Sequence, residues 1–143
     1  MKKTDLLCLT ALFILLTATL VAGAEVRYHY LPPFEVEKRL KAGEQLFLLD
    51  IQVEEEFAAH HLQGALPTYA YPVQSEAEKA KLDAIVPLVK ESTAPVLVIC
   101  PRGGGGATRT VDHLVANGIE PRRVFILEKG QAGWKNKELV EGN

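Results

Sequence analysis

Short apolar runs alternate with stretches of helical spacing over most of the chain, and one long apolar run stands apart near the N-terminus. Val26 to Pro33 alternates weakly before Pro32-Pro33, which predicts a short edge strand or an extended arm. Glu35 to Lys41 predicts a short helix stopped by Gly43. Leu46-Phe47-Leu48-Leu49 predicts a buried strand ending in Asp50, and Val53 to His60 a helix with Glu54, Glu55 and Glu56 in its first turn, where the dipole favours them. Gly64-Ala65-Leu66-Pro67 predicts a turn and a short extended piece. Ser75 and Glu78 have capping-box spacing, and Ala80, Leu82, Ile85 and Leu88 form the expected apolar face of the next helix, kinked or ended by Pro87.

Pro95 to Ile99 is β-branched and apolar, the strongest strand pattern in the chain, and it runs directly into Cys100. Gly103 to Gly106 predicts a loop, Ala107 to Asn117 a helix on Val111, Leu114 and Val115, and Val124 to Leu127 a further buried strand. A turn at Gly130 and a last helical stretch around Trp134 close the pattern. Short apolar strands alternating with helices predict an α/β fold with a parallel sheet covered on both faces. In such sheets ligands sit at the C-terminal strand ends, where Asp50 and Cys100 both fall.

The long run, Leu6 to Ala24, carries no charge and follows Lys2 and Lys3; Ala22-Gly23-Ala24 ends it with small residues. That pattern predicts a secretory signal over residues 1–24 and an exported, in a bacterium periplasmic, domain. The alternative is a retained anchor, since the run approaches the roughly 20 residues of a spanning helix. Cys8 lies at the front of the run, so a lipoprotein site is not expected. The expected organisation is thus a signal at 1–24, an extended arm at 25–34 and one domain over 35–143.

The 143 residues carry 16 Lys+Arg against 18 Asp+Glu, a net charge of −2, so charge gives no case for nucleic-acid binding. Of two cysteines in the chain, Cys8 lies in the expected signal, which leaves the exported domain with Cys100 alone. A lone thiol in an oxidising compartment is buried or used. Cys100-Pro101-Arg102-Gly103-Gly104-Gly105-Gly106-Ala107 puts it between a strand and a helix start. Backbone N–H groups of such a loop, with the helix dipole behind them, favour a thiolate and hold an anionic sulfur or oxyanion. Arg102 and Arg109 are the nearby cations.

At this point the chain resembles the rhodanese-like family across residues 35–137. Leu48-Leu49-Asp50-Ile51-Gln52 is similar to that family's strand ending in Asp-aliphatic-Arg. Glu56-Phe57 through His60-His61-Leu62 to Gly64-Ala65 resembles its Glu-aromatic, Gly-His-Ile and Gly-Ala motif. Val96 to Cys100 is similar to the strand entering its active-site loop, and Leu127-Glu128-Lys129-Gly130 with Trp134 resembles its closing element. The resemblance implies about five parallel strands flanked by helices, and a persulfide on Cys100 passing sulfur from a small sulfur-containing donor to a thiophilic acceptor. No metal or organic cofactor is implied. Substrate contacts fall on Arg102, Gly103, Gly104, Gly105, Gly106 and Ala107, with Asp50, His61 and Arg109 in support. Transfer between thiolates needs no proton from a weak acid, so His60 and His61 are read as structural rather than as general bases.

Three positions depart from the family pattern. Gln52 stands for its usual Arg, His60 for the glycine before the motif histidine, and counting from Cys100 to Gly118 predicts a loop one residue longer than usual, with glycine at 105 and 106 where a cation commonly sits. A seven-residue loop resembles the phosphatase and arsenate-reductase branch, yet that chemistry needs an arginine six residues after the cysteine, and position 106 is glycine. A non-catalytic carrier or sensor of sulfur species is the other alternative. A metal site from His29, His60, His61 and Cys100 is disfavoured, because adjacent histidines on a helix do not face one ion. Trp134 is expected in the core, and Tyr69 to Tyr71 either in the core or lining the pocket.

Overall fold

The computed structural model describes residues 27–142, so the expected signal and anchor segment lies outside the described residues. No helix among the described residues is long and apolar enough to cross a membrane. A five-stranded parallel sheet forms the centre. Its strands are β1 (His29–Leu31), β2 (Phe47–Asp50), β4 (Leu66–Pro67), β5 (Val96–Ile99) and β6 (Val124–Leu127), in the spatial order β1-β6-β5-β2-β4. Residues 29–31, foreseen as an edge strand or an arm, pair with β6 at one sheet edge, so this part of the arm belongs to the sheet.

Strand alternation divides the core into two layers. Val96, Val98 and Cys100 point to one face with Leu49, where Leu82, Val86, Val89, Val111 and Leu114 cover them. Leu97 and Ile99 point to the other with Leu48, Val36, Leu62 and Trp134. The first cover comes from helices α3 (Glu76–Asp83), α4 (Val86–Glu91) and α5 (Gly105–Ala116); the second includes α1 (Pro33–Lys41). Helix α2 (Glu54–Ala59) follows β2, and β3 (His61–Leu62) pairs antiparallel with β7 (Val140–Glu141) in a small second sheet that periodicity did not predict.

Three local expectations change. The helix foreseen after Ser75 is two helices, and Pro87 sits in the first turn of α4, where its missing N–H is not needed. Leu88 is 48% exposed, and Val86 and Val89 take the buried positions instead. Trp134 is buried as expected, but between 3₁₀ turns at Gln131–Gly133 and Lys137–Leu139 rather than within a helix.

Candidate functional site

Cys100 immediately follows β5, the central strand, whose four residues are all buried. Its side chain is 1% exposed, with aliphatic neighbours on the sheet face, and the Gly103 N–H donates to Sγ at 2.8 Å. The loop is held against the turn after β6: Gln131 N–H donates to the Cys100 carbonyl at 2.8 Å and Ala132 N–H to the Pro101 carbonyl at 3.0 Å. Gly103 has φ +72°, and a Cβ there would lie 2.8 Å from the Lys129 backbone nitrogen. Only glycine satisfies both demands.

Helix α5 begins at Gly105, earlier than expected, so Gly105 and Gly106 form its first turn and the loop proper is Pro101 to Gly104. The helix thus takes up the last two glycines of the run. Ala107 N–H is spent on the Gly104 carbonyl at 3.0 Å and is not free to bind a substrate, contrary to expectation. The N–H groups of Gly104, Gly105 and Gly106 have no protein partner among the described residues, and Gly104 and Gly105 are exposed. They are the orphan donors of a helix start and offer an anion-binding mouth beside the thiol.

Position 106 is glycine for a packing reason: a Cβ there would lie 2.8 Å from the Tyr71 ring. Tyr71 thus packs on the helix start, while Tyr69 meets Phe57 edge-on at 6.0 Å. Arg109 Nε and Nη2 both donate to the Pro72 carbonyl, at 3.0 and 2.9 Å, and its guanidinium lies over Gly105. Its charge is therefore tied to the segment after β4 while lying over the first residue of α5.

Asp50 ends β2 wholly buried and accepts from Gln52 N–H at 2.8 Å and Gln52 Nε2 at 3.0 Å. An amide supplies these bonds where the family usually places a guanidinium, so no cation is hydrogen-bonded to the carboxylate. Burial raises the Asp50 pKa to about 6, opposed by the two Gln52 bonds and by the charge of His61 and helped slightly by that of Glu56. His61 Nδ1 donates to the Phe57 carbonyl at 2.6 Å, and its ring stacks on Phe57 at 3.8 Å. Asp50 and His61 thus hydrogen-bond different segments, while the charge of His61 still acts on the Asp50 carboxylate. His60 has φ −166°, ordinary extended backbone, so the absence of glycine there does not disturb the turn.

A cleft of about 430 Å³ opens beside Pro101 and Arg102. Gln52, Glu56, His60 and Gln131 supply its polar wall, and Ala59, Ala132 and Trp134 its apolar one. Gln52 Nε2 also donates to the His60 carbonyl at 3.2 Å, and Gln131 Nε2 donates to His60 Nδ1 at 2.8 Å. Gln131 is the residue that sequence reasoning missed. Its only signal was its place just after Gly130 in the closing motif. His60 and His61 point to different surroundings, and among the described residues no group of three or more His, Cys, Asp or Glu could hold a metal.

The rhodanese-like domain model matches residues 33–137. Among solved structures, a rhodanese-like domain protein from Staphylococcus aureus superposes with a TM-score of 0.61 at 18% identity, covering 80% of this chain and 98% of that one. A thiosulfate sulfurtransferase from Pseudomonas aeruginosa gives 0.58 at 21%, covering 82% of this chain and 20% of that one. The yeast protein Ygr203w, described as a protein tyrosine phosphatase of the rhodanese family, gives 0.61 at 14%, covering 83% and 95%. No curated protein matches the sequence. At these identities the superpositions carry the fold alone, but a family model spanning most of the chain, with the strand, thiol loop and closing turn in its order, makes this protein a member of the rhodanese-like domain family.

Proposed function

We propose that the protein is an exported single-domain sulfurtransferase that moves sulfane sulfur through a persulfide on Cys100. The observation that carries this reading is the Gly103 N–H directed at Cys100 Sγ at 2.8 Å, beside the N–H groups of Gly104 to Gly106, which have no protein partner among the described residues. In the first step the Cys100 thiolate attacks the outer sulfur of a donor such as thiosulfate. The donor's S–S bond breaks, and sulfite leaves with the electron pair. The new sulfur stands about 2 Å beyond Sγ, carrying its negative charge from the buried thiol toward the loop mouth. There fixed dipoles stabilise it without reorganisation. In the second step a thiophilic acceptor attacks that outer sulfur, and the Cys100–S bond returns its electrons to the cysteine. No oxidant, metal or organic cofactor is needed for the balance. Export rests on the charged start, apolar run and small-residue end of residues 1–24.

A phosphatase-like activity is the alternative suggested by the yeast relative. It is disfavoured because phosphoryl oxygens need a guanidinium at the loop end, and here position 106 is a glycine packed under Tyr71, with Arg109 bonded elsewhere. A carrier that binds sulfur without turnover is distinguished by assay. After incubation with thiosulfate or a polysulfide, intact-protein mass spectrometry is expected to show a gain of one sulfur atom, reversed by cyanide or dithiothreitol and missing in Cys100→Ser. Sulfur uptake without release to any acceptor would leave a carrier. Aryl phosphate hydrolysis without uptake would replace the proposal with the phosphatase reading.

A further inference from the structure

We propose that the cleft beside the thiol loop selects a zwitterion: a small thiol, or its persulfide, bearing both a primary ammonium and a carboxylate. Glu56 takes the ammonium and Arg102 the carboxylate. The inference rests on the sulfurtransferase reading and names the acceptor class for that site.

Among the described residues the cleft carries one charge of each sign, since Glu56 and Arg102 are the formally charged residues of its lining. Both are exposed, and neither has an ion-pair or hydrogen-bond partner among the described residues. Charges left unpaired in a shared concave site are free to meet a ligand. Arg102 lies two residues after Cys100, so a carboxylate on it sits next to the loop that holds the reactive sulfur.

The cleft also has neutral polar groups in its lining. Gln131 is 3% exposed and its Oε1, itself buried, has no hydrogen-bond partner among the described residues, an unmet acceptor in the wall of the cleft that a bridging water can satisfy. Because Gln131 Nε2 donates to His60 Nδ1, the neutral imidazole carries its proton on Nε2 and is a donor there. Gln52 spends both its bonds through Nε2, leaving Oε1 as an acceptor. The cleft therefore presents acceptors as well as donors, and Trp134 offers an apolar wall to a methylene. A volume of about 430 Å³ suits a small ligand. A dianion such as thiosulfate would meet a carboxylate alongside the single cation, so this cleft favours the zwitterionic partner over the inorganic one.

The test separates charge recognition from sulfur chemistry. Binding to the whole chain carrying Cys100→Ser is measured by calorimetry for three unreactive thioethers: S-methylcysteine, S-methyl-3-mercaptopropionate without the ammonium, and S-methylcysteamine without the carboxylate. The zwitterion is expected to bind roughly tenfold more tightly than either truncated analogue, the effect of losing one charged hydrogen bond. Glu56→Gln should erase the advantage over the mercaptopropionate, and Arg102→Gln the advantage over the cysteamine. Equal affinities for all three, or no binding of the zwitterion, overturns the inference, and the comparison on unsubstituted Glu56 and Arg102 needs no further variant to fold. Loss of selectivity with normal sulfur uptake by the native thiol would remove this inference and leave the sulfurtransferase. Selectivity in a chain that takes up no sulfur would uphold the cleft and remove the sulfurtransferase.

Discussion

Two neighbouring glycines meet opposite demands. Gly103 has φ +72° and backs onto the Lys129 nitrogen, and it also supplies the N–H that faces the thiol; Gly104 has no atom within 4 Å of an added Cβ. Gly103→Ala is therefore expected to destabilise the protein by about 1–3 kcal/mol and to lower sulfur uptake, through strain and a displaced donor. Gly104→Ala meets no neighbour among the described residues and should cost less, up to about 1 kcal/mol for the poorer helix cap, and keep uptake. Urea denaturation with sulfur loading of each variant checks both, and equal effects at the two positions would contradict the loop geometry. The glycine run announced a special loop, but which glycine the loop requires is set by the chain packed behind it.

Helix α3 shows how much a local pattern can establish. Ser75 Oγ accepts from Glu78 N–H at 3.2 Å while Glu78 Oε2 accepts from Ser75 N–H at 3.0 Å, the reciprocal cap that the spacing predicts. Both bonds close within three residues, so no distant part of the chain is needed. Ser75→Ala should cost about 1 kcal/mol, read as a shift in the urea midpoint at constant slope. Helix α4 behaves differently: the pattern placed Leu88 inward, whereas the packing of Val86 and Val89 against the sheet turns it outward. Helix α5 likewise starts two residues before its first expected position, because Gly104 caps it and Tyr71 lies over Gly106.

At the scale of the molecule, folding encloses the Asp50 carboxyl with the backbone and side-chain N–H groups of Gln52 as its hydrogen-bond partners among the described residues. Its pKa rises from 3.8 in the open chain to about 6 when folded. Below about pH 4 both states hold the proton. Between about pH 4 and 6 the unfolded chain releases it while the folded one retains it, so stability falls as pH rises through this window, by about 3 kcal/mol, and then levels off. Gln52→Arg places a cation beside the carboxylate and should flatten that fall. Urea unfolding of parent and variant across pH 4–7 measures the difference, and parallel profiles would argue against an uncompensated carboxyl.

The sequence by itself determined the parallel α/β class, the strands delivering Asp50 and Cys100, and the thiol loop between strand and helix, because these follow from local periodicity and from residues adjacent in the chain. Tertiary structure decided the rest. It carried β1 to the edge beside β6 and paired β3 with β7. It sent Arg109 to the Pro72 carbonyl and brought Gln131 to His60, 71 residues away. Hydrophobic spacing records which face of an element is buried, but a polar contact between distant segments depends on how the packed elements are finally placed, and no local pattern encodes that placement.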